Sequence, residues 1–264
     1  MAVHVFLMLA KRPAPEPKVV MAATLDALRE RGCTVEVGYE ESLYDLAHLP
    51  VADIYLVKSR SPYWHSLATA LHYLGRPLVN SFDAIQKTQD KVVAAALLAR
   101  GGVPVPPGWT TDSPLALAPL LERGEVVIKP RLGHRGAGIR WLKVAHDLDD
   151  LCLAGDVHLI QQSLPVEGPD LKVYGIGERL FAFRKRYASG VHTQVGDQVE
   201  LDAKSREIVL ACREILGLDL YGVDIVQAEG RPYVVDVNLY PGFRGIPEAP
   251  GLTAEQVLAA LRRR

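Results

Sequence analysis

The sequence predicts a mixed fold, α/β in its first third and α+β beyond it, arranged in two or three lobes. Three observations carry this expectation. Strand and helix signals alternate through the first third, which implies a small parallel sheet with both faces covered. A glycine-rich loop near the middle of the chain joins two strands instead of opening a helix. Towards the carboxyl-terminal end, two apolar strands flank a tight loop and carry Asp224, Asp236 and Asn238. At 264 residues the chain is long enough to bury a substantial core and to divide.

The elements follow in order. Residues 3–9 form an apolar run that reads as a first buried strand, since it lacks the basic leader of a secretory signal. A proline-rich loop, 11–17, precedes a helix marked by Val20, Ala23, Ala27 and Leu28 and closed by Gly32. Strands are expected at 34–37, 54–57 and 77–80, with a helix at 64–74 ended by Gly75. Ligands of parallel sheets gather at the carboxyl ends of the strands. Lys11, Arg12, Lys58, Ser59 and Arg60 stand there, either to hold an anionic substrate or as ordinary loop charges.

A boundary near Thr88 separates this unit, 1–88, from a central lobe, 89–164, and a carboxyl-terminal lobe, 165–264. The central lobe opens with a helix at 90–100, stopped by Gly101-Gly102, and the rigid linker 103–108. A strand at 126–129 leads into the loop carrying Gly133, Gly136 and Gly138, and 139–144 returns as a strand. This loop differs from a Walker loop and from a dinucleotide fingerprint, both of which open a helix. It suits a flap whose backbone N–H groups approach phosphates, or an uninvolved hairpin turn. Lys129, just before it, can aim a charge at those phosphates. Beyond a strand at 158–164, a hairpin of 171–176 and 180–185 turns at Gly177-Glu178. A helix at 204–216 capped by Gly217 precedes the oxygen-rich hairpin, and Thr253 to Gln256 reads as a capping box opening the last helix.

With a five-residue loop at 228–232, strand positions pair when their numbers sum to 460, placing Asp224 opposite Asp236. Asn238, two residues on, points the same way. Pro232 supports the loop, because proline cannot donate to a ladder. Carboxylates side by side on apolar strands need compensating positive charge, and a divalent cation taking oxygen ligands supplies it. The alternative is a pair of solvated carboxylates on the exposed face of an ordinary hairpin.

The formal net charge of −1 argues against a nucleic-acid partner, and no apolar run is long enough to span a bilayer. Three cysteines without metal-ligand spacing suit a reducing cytoplasm.

Taken in order, Asp90-Lys91, Val127-Ile-Lys129, the flap glycines, Ile160-Gln-Gln-Ser-Leu164, Gly168-Pro-Asp-Leu-Lys172, Lys185-Arg186, Gly222-Val-Asp224, Asp236-Val-Asn238 and Pro241-Gly242 resemble an ATP-grasp protein. The nearest likeness is to the RimK-type glutamate ligases, with a further likeness to inositol trisphosphate kinases. The resemblance covers about 90–245 and implies an ATP-grasp fold: a small parallel-sheet domain followed by two mixed lobes enclosing ATP. It implies that Lys91 and Lys129 contact ATP phosphates under a flap of Gly133, Gly136 and Gly138. Gln162, Ser163 and Leu164 would form the adenine-side hinge, and Asp170 would sit near the ribose. Asp224, Asp236 and Asn238 would bind one or two magnesium ions, with manganese able to replace them. Lys185 and Arg186 would stabilise the transferring phosphoryl group or the following oxyanion. The pattern departs at Gln162 and Asp236, where glutamate is common, and at 187–194, which lacks the arginine, serine and asparagine of the ligase subgroup.

The function expected from this is an ATP- and magnesium-dependent carboxylate–amine ligase working through an acyl phosphate on small-molecule substrates, as a monomer or a homo-oligomer. The alternative is a kinase of a small polyol or inositol phosphate.

Overall fold

The computed structural model describes residues 2–10, 19–133, 137–153, 155–188, 191–194 and 196–263, with backbone alone for Val19, 186–188 and 191–194. The first unit comprises β1 (His4–Leu9), α1 (Val19–Glu30), β2 (Thr34–Tyr39), β3 (Ile54–Val57), α2 (Pro62–Tyr73) and β4 (Leu78–Val79). Its four strands are parallel in the order β2-β1-β3-β4. The unbroken apolar runs of β1 and β3 reflect burial on both faces. Val5, Leu7, Ile54 and Leu56 enter one core, and Phe6, Met8, Tyr55 and Val57 enter the other.

Two helices follow, α3 (Phe82–Gln89) and α4 (Lys91–Arg100). α3 occupies a stretch to which the sequence reading assigned no element. Its Ser81 cap accepts from the Ala84 N–H at 3.1 Å, while Ala84, Ile85 and Thr88 form its buried face. Asp90 caps α4 by accepting from the Val92 and Val93 N–H groups at 2.9 and 3.2 Å.

The central lobe holds β5 (Gly108–Trp109), the short α5 (Ala118–Leu121), β6 (Val126–Pro130), β7 (Arg140–Leu142) and β8 (His158–Gln162). Its antiparallel order is β5-β8-β6-β7. Val126, Ile128 and Ile160 point into its core. The alternation therefore turns Val127, Lys129, Leu159 and Gln161 towards the opposite face.

The last lobe contains β9 (Leu171–Ile176), β10 (Arg179–Arg184), β11 (Arg186–Ala188), β12 (Val191–Gln194), β13 (Gln198–Val199), α6 (Ala203–Leu216), β14 (Leu220–Ala228), β15 (Arg231–Leu239) and α7 (Ala249–Arg262). Its main antiparallel sheet runs β13-β10-β9-β14-β15, and β11 and β12 pair separately. α7 begins at Ala249, so Thr253 lies inside the helix and is fully buried; the expected capping box is corrected. This helix packs with α1 in the core that joins the last lobe to the parallel sheet. Asn80 locks the same junction. Its side-chain amide donates to Leu220 O at 2.9 Å, and its oxygen accepts from the Asp219 and Leu220 N–H groups at 2.7 and 2.8 Å.

The oxygen-bearing hairpin turns differently from expectation. Ala228 pairs with Arg231 across a two-residue turn, Glu229-Gly230, both at positive φ. Pro232 lies in the strand opposite Gln227, which is tolerated because β15 is the sheet edge. From that turn alone, Asp224 would miss Asp236. An irregularity between Asp224 and Ile225 in the β14 register, which leaves Val235 as an extra residue on β15, restores the pairing of Asp224 with Asp236.

Candidate active site

The rows of the last sheet build the site. Lys172 on β9, Asp224 on β14 and Asp236 on β15 are cross-strand neighbours; Tyr174, Gly222 and Asn238 form the adjacent row. The three expected oxygen-bearing side chains converge: the Asn238 Nδ2 donates to Asp224 Oδ2 at 3.2 Å and to Asp236 Oδ2 at 3.1 Å. Asp224 is only 7% exposed. Burial pushes its carboxyl pKa up, but the Lys172 and Lys185 ammonium groups outweigh that and hold it below the ordinary value.

Every carboxylate of the cluster has a cation beside it. Lys172 Nζ meets Asp224 Oδ2 and Lys185 Nζ meets Asp224 Oδ1, each at 2.8 Å, and Lys91 pairs with Asp236 Oδ1. Lys185 also lies 3.9 Å from Asp170 Oδ2, and its N–H donates to Asp170 O at 2.7 Å. Gly222 leaves room for Lys172: a Cβ there would stand 3.2 Å from Lys172 Cε and 3.4 Å from its Nζ. No local sequence signal gives Lys172 a role; its place opposite Asp224 is a matter of strand register.

Lys129 faces this cluster from the central lobe. Its Nζ donates to Gln161 Oε1 at 2.7 Å and, across the cleft, to Val235 O at 2.9 Å. With neutral partners and little water, its amine pKa falls from 10.5 to about 8, burial being the dominant cause. Arg60, at the carboxyl end of β3, donates to Asn238 Oδ1 at 2.9 Å and Leu239 O at 3.2 Å. Lys58 donates to Tyr240 O and, at 2.6 Å, to Pro241 O. Three carboxylates, Asp170, Asp224 and Asp236, thus stand among five cations, Lys91, Lys129, Lys172, Lys185 and Arg60, an excess of two positive charges. Such an excess in a cleft complements a polyanion.

The remaining expected residues are distributed around this centre. Gly133 and Gly138 border the flap, and Gly136 lies outside the described residues, as do Lys11 and Arg12. Gly138 has φ +74, and a Cβ on it would meet Pro130 Cγ at 2.6 Å, so glycine is required there. The Gln162 N–H donates to Pro107 O, its side chain and the Ser163 N–H both donate to Glu125 O at 2.8 Å, and Leu164 packs against Val226, Ala228 and Tyr233. These three residues therefore connect the central and last lobes. The Arg186 backbone lies in β11, while its side chain is outside the described set.

The donor set fits a hard divalent ion: two carboxylates and one amide oxygen on one sheet face leave coordination positions for phosphate oxygens. Among the described residues no three His, Cys, Asp or Glu side chains form such a group; the third donor is the Asn238 amide.

A parallel sheet, two antiparallel sheets and a lysine-rich cleft over paired carboxylates suit a nucleotide-dependent enzyme of the ATP-grasp class. The model of the RimK-like ATP-grasp domain matches residues 88–261, and the chain belongs to that family. A probable alpha-L-glutamate ligase of Enterobacter sp. (strain 638) is 27% identical over 258 residues, 86% of each chain. Among solved structures, the RimK domain ATP-grasp protein of Sphaerobacter thermophilus DSM 20745 matches with a TM-score of 0.80 at 19% identity, covering 97% of this chain and 99% of the other. The ATP-grasp ligase PsnB, complexed with minimal precursor, Mg and ADP, matches with a TM-score of 0.70 at 19% identity, covering 98% and 97%.

Proposed function

We propose that this protein is an ATP-dependent carboxylate–amine ligase acting on small molecules or peptide ends. The observation that carries the reading is the convergence of Asp224, Asp236 and Asn238 beneath four lysines in a chain of the RimK-like family. A carboxylate oxygen attacks the γ-phosphorus and ADP leaves. An amine nitrogen then attacks the acyl carbon of the acyl phosphate, and phosphate and a proton depart to give an amide.

A magnesium ion held by Asp224, Asp236 and Asn238 would neutralise phosphate charge that otherwise repels the nucleophile, as suits a fold whose PsnB relative carries Mg and ADP. Lys129 and Lys91 exchange Val235 O and Asp236 for phosphate oxygens. Lys185, held between Asp170 and Asp224, would stabilise negative charge developing on the transferring group, and Arg186 adjoins it in sequence. Gln162, Ser163 and Leu164 border the base and Asp170 the ribose. No nucleophilic side chain is needed, because positioning and charge do the chemistry. Among the described residues no helix is long and apolar enough to cross a membrane.

ATP turnover tests the proposal. The protein is supplied with Mg2+, ATP and pooled amino acids and peptides, or with pooled sugar and inositol phosphates. Amide product with ADP and phosphate is expected from the first pool. Phosphorylated product from the second would restore the kinase alternative, which a family of ligases does not favour.

A further inference from the structure

Arg60, like Lys129, is held only by neutral oxygens, and both of its acceptors lie on the strand that carries Asp236 and Asn238. Asp224 is taken by Lys172 and Lys185, and Asp236 by Lys91. Among the described residues Arg60 has no salt-bridge partner, although it is largely enclosed where the first unit meets the last lobe. Asp236 and Asp224 act on this enclosed guanidinium only at longer range, so no direct ion pair offsets the cost of taking its charge from water, which neutral oxygens only partly return.

The Asn238 amide has a definite orientation, fixed by donor and acceptor chemistry. A guanidinium only donates and carboxylates only accept. The amide oxygen therefore faces Arg60, and its NH2 group faces Asp224 Oδ2 and Asp236 Oδ2. An ion shared by these three residues needs the oxygen on the carboxylate side. Half a turn of the amide brings it there and sets the NH2 group against Arg60, donor to donor. Arg60 then has to leave. Its backbone is fixed, since Gln89 Nε2 donates to Arg60 O at 3.3 Å, so the side chain moves alone. The space beside it is a notch lined by Arg60, Gln89, Lys91, Leu132 and Gly133, between the end of β3 and the start of the flap.

We propose that Arg60 is the receptor for the reacting carboxylate and changes partner during the cycle: it holds the Asn238 oxygen until a divalent ion claims it, then pairs with the carboxylate in the notch. The second half of this inference rests on the ligase reading. The ligand class is a carboxylate bound next to the γ-phosphoryl group, and its site becomes available only after the ion and nucleotide are in place.

The experiment uses the full chain labelled with 15N, following the Arg60 Nε–Hε resonance, identified by its absence in Arg60→Lys. Adding Mg2+ with a non-hydrolysable ATP analogue is expected to move this resonance, whereas the analogue with EDTA leaves it in place. A resonance unmoved by the magnesium complex overturns the partner change. In turnover assays, Arg60→Gln is expected to raise KM for the carboxylate at least about tenfold, while calorimetric affinity for the magnesium complex, with a competitor for the Asn238 oxygen removed, is unchanged or tighter; Arg60→Lys should fall between. An unchanged carboxylate KM, or parallel loss of nucleotide affinity, overturns the receptor role. If the wild-type protein turns over no carboxylate at all, the ligase reading and the receptor role fall together, and the resonance still decides the exchange at Asn238.

Discussion

The pH dependence of stability follows from Lys129. Its amine falls from an ordinary 10.5 to about 8 because it is buried among neutral oxygens. Each tenfold change in proton affinity corresponds to about 1.4 kcal/mol, so the charged amine destabilises the fold by about 3 kcal/mol below pH 8. The sign follows from proton counting. Between pH 8 and 10.5 the unfolded chain holds this proton more tightly than the folded one, so stability rises with pH across that window. Lys129→Met removes the titration. Its loss of donors to Gln161 and Val235 is independent of pH and enters as a constant offset. Urea unfolding of both proteins from pH 7 to 10.5 without nucleotide should give a wild-type minus variant difference that is flat below pH 8. Above it, the difference should climb by up to about 3 kcal/mol. Binding of MgATP should move oppositely, weakening above pH 8 in the wild type as the ammonium is lost. A stability difference that stays flat or falls through the window would refute the burial argument.

Three further outcomes are expected. Asp236→Ala should lower turnover by about a hundredfold or more while leaving circular dichroism unchanged, and full activity in that variant would remove the metal role. Gly222→Ala should push Lys172 from Asp224 and destabilise by about 1 to 2 kcal/mol in urea unfolding; unchanged stability would show that Lys172 has another path to its partner. Asn80→Ala removes the donor and acceptor that join β4 to β14 and should lower unfolding free energy by about 2 to 4 kcal/mol, read the same way.

The apolar strands and the glycine stops were legible because burial and backbone freedom are local properties. Ile54–Val57 matches the reading to the residue, and Gly217 ends α6 at φ +71. α3 had a signal too, Ser81 ahead of Ala84, Ile85 and Thr88, but the neighbouring strand and Asp90 drew the boundary away from it. The hairpin is more instructive: Asp224 does face Asp236, yet through a two-residue turn and an irregular register in place of the five-residue loop that the sequence suggests. Two departures from simple pairing cancelled, and pattern alone does not distinguish that from a regular ladder. The partners of Lys172, Lys129 and Arg60 come from distant strands or another lobe, and no local pattern encodes them.

The bond from Lys129 to Val235 O and the pairing of Lys91 with Asp236 tie together the walls between which a triphosphate would lie. On the proposed reading an incoming nucleotide would compete with the protein for its own amines, and its affinity would be the difference between two sets of grips. The same rivalry works in reverse after turnover. As phosphate charge left, the amines would return to their internal oxygens, favouring departure of spent ADP and readying the cleft for another round.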